Sequence, residues 1–230
     1  LCVNGFLGND YVGMLEGIDL PGLRDIVVLR GDAPAGTIAW TDYLARADAA
    51  GVTVADVEAV VASTSPEDLC DLVFTSGTTG KPKGVMVNHA QTLRVFEVWA
   101  DVVGLHEADR YLIVNPFFHT FGYKSGIIAC LLKGATMLPE PVFDVDRVLV
   151  QIEAEKVSVL PGPPTLFLTI LDSPDRARRD LSSLRVGVTG AAAIPVSMIE
   201  RMRDDLGFGT VITAYGLTEA TGTVTMCRAE

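Results

Sequence analysis

The second half of the chain is organised by short apolar runs that alternate with helical stripes. Leu112–Asn115 reads as a buried strand, Gly126–Leu132 as a nearly all-apolar helix, and Ala135–Leu138 as a second strand. Asp144 stands where it can cap a helix running to about Lys156, with Val145, Val148, Leu149 and Ile152 on one face. Val157–Leu160 is a third strand, Pro164–Leu171 a helix, Arg185–Thr189 a fourth strand and Val211–Ala214 a fifth. Between the last two, Pro195 suits a first helical turn and Met198, Ile199, Met202 and Leu206 form an apolar stripe. Strands alternating with helices predict parallel βαβ units with right-handed crossovers. The expected fold class is α/β, mostly parallel sheet with flanking helices.

The first half is less regular. Asp25–Leu29 makes a good strand and Tyr43–Ala50 a helix, while Gly51–Pro66 is rich in Ala, Val and Thr and reads as a connecting segment. Leu72–Phe74 and Val85–Val87 are two strands around a small polar loop, and Asn88–Gly104 is a long helix with Leu93, Phe96, Trp99 and Val103 inward. This divides the chain into an irregular lead-in over residues 1–66, a hairpin and helix over 67–110, and a parallel βαβ region over 111–230.

The loop between those two strands changes the picture. Thr75, Ser76, Gly77, Thr78, Thr79, Gly80, Lys81, Pro82, Lys83 and Gly84 put three glycines, four hydroxyls and two lysines in one turn. Glycine lets backbone N–H groups approach a ligand, hydroxyls donate to phosphate oxygens, and lysines supply compact positive charge. A nucleoside polyphosphate is the expected ligand; a ligand-free Gly/Ser/Thr-rich hairpin is the alternative. A Walker A loop is excluded, because Thr75 stands where its first glycine belongs and Pro82 stands where Ser or Thr would meet magnesium.

Composition narrows the partners. The 230 residues carry 18 basic and 29 acidic side chains, a net charge of −11, which argues against nucleic acid or an anionic membrane. No segment reaches the ~18 apolar residues of a membrane helix, and Leu1–Phe6, short and without a basic start, is not expected to be a signal peptide. Cys2, Cys70, Cys130 and Cys227 form no C-x-x-C pair, and His89, His106 and His119 have no metal-ligand spacing. Reduced thiols and a cytoplasmic location are expected. The chain does not start with Met and its last residues read as the middle of something, so a fragment is expected.

In open α/β sheets, ligands bind beyond the carboxyl ends of the strands. The segments there are Pro116–Gly122 with His119 among Phe117, Phe118 and Phe121; Pro161–Thr165 with Pro163; Gly190–Ala193; and Tyr215–Glu219. These should converge on one rim. A packed core histidine, a rigid proline loop, a tight glycine turn and a capped strand end are the structural alternatives. Lys124 reads as an ordinary solvated lysine.

The stretch Phe74–Gly84 resembles the signature loop of the adenylate-forming superfamily, which includes acyl-CoA synthetases, firefly luciferases and the adenylation domains of peptide synthetases. Tyr215-Gly216-Leu217-Thr218-Glu219 resembles that superfamily's second strong motif. The resemblance covers almost the whole chain but only the middle of the family's length. It implies part of a large N-terminal domain, without the small C-terminal cap domain. It further implies that residues 75–81 and Lys83 hold ATP phosphates, that Tyr215 stacks on adenine beside Gly190, Ala191, Ala192 and Gly216, that Thr218 bonds the α-phosphate, and that Glu219 holds Mg²⁺. His119 would position the carboxylate and, with Phe118, Pro163, Thr165 and Ala193, would belong to the acyl pocket.

The implied activity is an AMP-forming carboxylic acid:CoA ligase, with ATP and CoA as substrates and a medium, long-chain or alicyclic acid preferred because the pocket segments are apolar. The segment Pro116–Pro139 is most similar to that of bacterial fatty-acid or ring-degradation CoA ligases. An acyl-AMP ligase or an adenylation domain loading a carrier protein stays open, as does a non-catalytic nucleotide-binding module and homodimerisation. The ribose-binding Asp, the hinge and the catalytic Lys of the family are expected outside these residues, which alone are expected not to make acyl-CoA.

Overall fold

The structure is a computed structural model and describes residues 1–77 and 80–227. The chain divides into two compact units, Leu1–Thr64 and Ser65–Glu230. Among the described residues no helix is long and apolar enough to cross a membrane.

In the first unit, strand β1 (Val27–Val28) pairs in parallel with β2 (Ile38–Ala39), and helix α1 (Trp40–Ala49) follows directly. The segment expected to be a connector instead holds helix α2 (Val54–Ser63). Its start is fixed by a capping box: the Asp56 amide donates to the Thr53 hydroxyl, and the Asp56 carboxylate accepts from the Thr53 amide at 2.8 Å. The local cap satisfies amides that the apolar pattern alone does not address.

The second unit begins with an antiparallel hairpin of β3 (Leu69–Thr75) and β4 (Lys83–Asn88), the two strands expected around the polar loop. Helix α3 (His89–Val103) leaves the hairpin through a second capping box, Asn88 with Gln91, and ends on left-handed Gly104. Its buried stripe is Thr92, Phe96, Trp99, Ala100 and Val103; Leu93, expected inward, is exposed, and Thr92 takes the inner position.

Strand β5 (Arg110–Ile113) opens a six-stranded sheet. A helical run then starts earlier than the apolar pattern suggests. It passes from α4 (Thr120–Gly122) through a π turn (Tyr123–Ile128) into α5 (Ala129–Lys133). Next come β6 (Thr136–Pro139), α6 (Val145–Glu155, capped by Asp144), β7 (Val159–Gly162), α7 (Pro164–Asp172), β8 (Val186–Gly190), α8 (Val196–Leu206), β9 (Thr210–Tyr215) and β10 (Thr225–Met226). The sheet order is β10-β9-β8-β7-β5-β6, parallel except where β10 returns antiparallel along β9. The expected parallel α/β architecture is therefore present.

Period-two alternation sends each strand into two cores. Leu112 and Leu160 face α6–α8, with Leu149, Phe167, Ile170 and Met202; Tyr111, Ile113, Val159, Val186 and Val188 face α3 and α5, with Phe96 and Trp99. Such two-sided burial is what makes the strands read as continuous apolar runs. After β5 the chain moves first to one neighbour, β6, and later to the other, β7. The crevice beyond the carboxyl ends of β5 and β7 is thus a topological switch point, the kind of place where α/β sheets bind ligands.

Candidate functional site

Three of the four rim segments meet. A cavity of about 180 Å³ is lined by His119, Thr120, Phe121 and Ser125 from beyond β5, by Gly190 and Ala191 at the end of β8, and by Ala214, Tyr215, Gly216, Leu217 and Thr218 at the end of β9. Gly222 and Thr223 close it, and Phe96 and Trp99 of α3 form its floor. The register Gly190↔Ala214 sets two of these segments side by side. The amide side chain of Asn115 donates to the Pro161 carbonyl at 3.0 Å, which ties the carboxyl ends of β5 and β7 together.

The turn after β9 is very tight. A Cβ at Gly216 would lie 1.7 Å from the Gly222 carbonyl oxygen, so only glycine lets the two backbone segments cross. Tyr215 leaves this turn 60% exposed, with its ring open to a ligand. Thr218 and Glu219 lie in the 3₁₀ turn Thr218–Ala220, which packs beside β4. That contact brings the strand leaving the polar loop next to the Thr218–Glu219 pair. Glu219 is exposed and stands outside the cavity lining.

The polar loop closes where Thr75 pairs with Lys83. Gly77 has φ +65°, and a Cβ there would lie 2.0 Å from the Lys81 carbonyl oxygen. Ser76, Gly80, Lys81 and Lys83 are at or near the surface, whereas the Thr75 hydroxyl is buried with no partner among the described residues. Thr78 and Thr79, assigned to phosphate by the sequence, lie outside the described residues.

His119 caps the helical run that follows it. The Phe121 amide donates to its Nδ1 at 3.1 Å, so a neutral imidazole carries its proton on Nε2. Ala191 adopts φ +69°, a left-handed conformation that costs an alanine about 1 kcal/mol. Ala192 and Ala193 are exposed and lie outside the cavity. Phe118 (83% exposed), Pro163 and Thr165, grouped with Ala193 in an acyl pocket, also lie outside it. Pro163 stands at the cap of α7 and the exposed Thr165 in its first turn, just beyond β7, while Leu166, Phe167 and Ile170 of that helix pack into the core.

One residue contradicts its expected role. Lys124 is fully buried, not solvated; its Nζ lies 2.9 Å from Asp71 Oδ2 and 3.0 Å from Thr92 Oγ1. Asp71 is a charged residue inside an apolar strand, and that was the signal available for a buried partner. Beside it, burial together with the Asp71 carboxylate and Cys70 pushes the Tyr123 phenol up to about 12.

The family comparison agrees with this geometry. The model of the AMP-binding enzyme family matches residues 21–230. A methyl-dioxo-octahydroindenyl-propanoyl:CoA ligase of Rhodococcus jostii is 49% identical over 230 residues, which is 98% of this chain and 44% of that protein. The ligase of the same name from Mycobacterium tuberculosis is 48% identical over 225 residues, 98% of this chain and 43% of that protein. The chain therefore spans less than half the length of these relatives. Among solved structures, an O-succinylbenzoate–coenzyme A synthetase from Bacillus subtilis, in complex with ATP and magnesium ion, superposes with a TM-score of 0.64 at 29% identity, covering 72% of this chain and 34% of that one. With the family model spanning nearly all of it, this chain belongs to the AMP-binding enzyme family.

Proposed function

We propose that the full-length protein is an AMP-forming carboxylic acid:CoA ligase acting on a bulky alicyclic or medium- to long-chain acid. The observation that carries this reading is the single cavity shared by His119, Gly190–Ala191 and Tyr215–Thr218, next to the hairpin that bears the polar loop. The ring-bearing propanoates in the names of the two relatives favour an alicyclic acid.

In this reading Tyr215 stacks on adenine and Thr218 donates to the α-phosphate. Ser76, Lys81 and Lys83 meet the outer phosphates, and the unpartnered Thr75 hydroxyl stands at the loop's base to join them. The His119 Nε2–H donates to the acid's carboxylate and orients one oxygen toward the α-phosphorus. That oxygen attacks, the bond to the β-phosphate oxygen breaks, and pyrophosphate leaves an acyl-adenylate. The thiolate of CoA then attacks the acyl carbon and AMP departs. Mg²⁺ is a hard cation held by one or two carboxylates plus substrate phosphates, and the exposed Glu219 carboxylate fits that donor set. When bound, it supplies charge neutralisation on the phosphates. A cytoplasmic setting, which supplies ATP, CoA and reduced thiols, completes the proposal.

The test is ATP–pyrophosphate exchange by the full-length protein against a panel of alicyclic, fatty and aromatic acids, followed by addition of CoA. Acid-dependent exchange with acyl-CoA formed is expected. Exchange with no acid at all would overturn the reading, and exchange without acyl-CoA would point to a carrier-protein acceptor.

A further inference from the structure

The buried ion pair sits among elements that all border the candidate site. Asp71 belongs to β3, the strand that runs into the polar loop at Thr75. Thr92 belongs to α3, which supplies Phe96 and Trp99 to the cavity floor. Lys124 belongs to the π turn that follows His119 in the same helical run. Lys124 Nζ donates to Asp71 Oδ2 at 2.9 Å and to Thr92 Oγ1 at 3.0 Å. One ammonium therefore joins the phosphate-loop strand, the cavity floor and the His119 segment.

Two backbone irregularities lie beside this pair. In β3, Leu69 faces Asn88 while Asp71 faces Val87, so Cys70 is an extra residue. The bulge puts Cys70 on the same inward side as Asp71, between exposed Leu69 and Leu72. On the other side, the helix carrying Lys124 widens to a π turn over Tyr123–Ile128, a rare geometry that often marks functional segments. Stability does not call for the pair, since a buried ion pair is commonly no better than a well-packed apolar pair of the same volume. What an ion pair with a shared hydroxyl supplies is one fixed spacing and register.

Resting on the function proposed above, we infer that Asp71, Lys124 and Thr92 are positioning residues that hold the phosphate loop at the correct distance from the adenine and carboxylate side of the cavity. The loop meets the β- and γ-phosphates, whereas Tyr215 and Thr218 meet the AMP portion. The three residues should therefore matter for ATP and not for AMP.

The experiment is calorimetry of the full-length protein with Mg²⁺, titrating ATP and AMP separately into wild type, the double variant D71N/K124M and the single variant T92V. The double variant removes both charges at nearly constant volume, so no unpaired charge stays buried. Thr92→Val keeps the ion pair and loses only the hydroxyl. The Kd for ATP is expected to rise about tenfold in the double variant and about threefold in Thr92→Val, with the Kd for AMP within twofold of wild type in both. ATP–pyrophosphate exchange should fall in step, while conversion of a preformed acyl-adenylate to acyl-CoA stays near wild type. A general loss of structure would weaken AMP as much as ATP. Parallel loss of both nucleotides, or no change in the ATP/AMP ratio in either variant, would overturn the inference. A wild-type protein that binds neither nucleotide would instead defeat the proposed function.

Discussion

The two ends of the parallel sheet are built by opposite rules. At the amino ends of β5, β7 and β8, Asp109 is 1% exposed and fully engaged. It accepts from Ser158 Oγ at 2.7 Å, from Arg185 Nη2 at 2.5 Å, from Arg185 Nε at 3.2 Å and from the His106 amide at 3.0 Å. Arg185 also donates to the Gly104 carbonyl, and Ser158 Oγ accepts from the Arg110 amide. At the carboxyl ends the polar groups are left waiting. The Thr189 hydroxyl is buried without a partner among the described residues, Ala191 is left-handed, and Tyr215 faces solvent. A satisfied end holds the strands together; an unsatisfied end is ready for a ligand. Local rules are broken where function needs them broken.

The amino end should give the largest loss of stability. Asp109→Ala leaves the partly exposed Arg185 and the half-buried Ser158 without their acceptor and should cost about 2 kcal/mol in urea unfolding, since several hydrogen bonds to one buried carboxylate are lost. The wild-type protein should also show an acid signature at this end. Burial alone would raise the Asp109 carboxyl, but Arg185, Ser158 and the His106 amide outweigh it and hold the group below its ordinary value. Its contribution is therefore complete above pH ~4 and is lost as pH falls through the lowered folded value. Asp109→Asn should flatten that part of the urea-midpoint profile; an unchanged acid limb would show that the clamp is not where the sheet's stability lies.

The carboxyl end should give the reverse pattern. In the full-length protein, Glu219→Gln should slow adenylation about 100-fold while unfolding stays within about 0.5 kcal/mol of wild type. Pyrophosphate exchange at the wild-type rate would remove Glu219 from the metal's donor set. Tyr215→Ala should raise KM for ATP about tenfold through lost stacking, again with little change in stability; an unchanged KM would mean that adenine lies elsewhere. The smallest effect is Ala191→Gly, expected to stabilise the chain by somewhat under 1 kcal/mol. Relief of the left-handed strain outweighs the added freedom of the unfolded glycine. A lower melting temperature would show that the Ala191 conformation is not strained.

The parallel sheet was legible because its strands are buried on both faces and its helices are not. Val186–Val188 and Val148–Ile152 announce different periods. The rim was legible from topology, since Gly190 and Tyr215 end strands and His119 lies beyond one. The rest depended on partners distant in sequence. Nothing around Lys124 reveals that Thr92, 32 residues earlier, has turned its hydroxyl inward. Helix α2 went unseen because Val54, Val57, Val60 and Val61 all stay exposed and mark no buried face, although Thr53 and Asp56 spelled out its cap. The acyl-pocket grouping of Phe118, Pro163, Thr165 and Ala193 rests on motif position alone, and the described cavity does not include these residues.

The bulge in β3 makes chain length itself a specification. Side chains alternate along a strand, so Cys70 acts as a phase step: upstream of it odd positions point out, downstream odd positions point in. Deleting one residue between Leu69 and Asp71 would restore a regular ladder without touching any residue of the polar loop. Leu69 would still point out and Asp71, Val73 and Thr75 in, whereas deleting one residue between Asp71 and Thr75 would put Asp71 out of phase with the loop. A single-residue deletion between Asp71 and Thr75 is therefore a more severe change than most substitutions. Among homologous sequences, the count of residues from Asp71 to Thr75 should be guarded as closely as any identity within the loop, and an insertion or deletion there should be accompanied by loss of the Asp71–Lys124 pair.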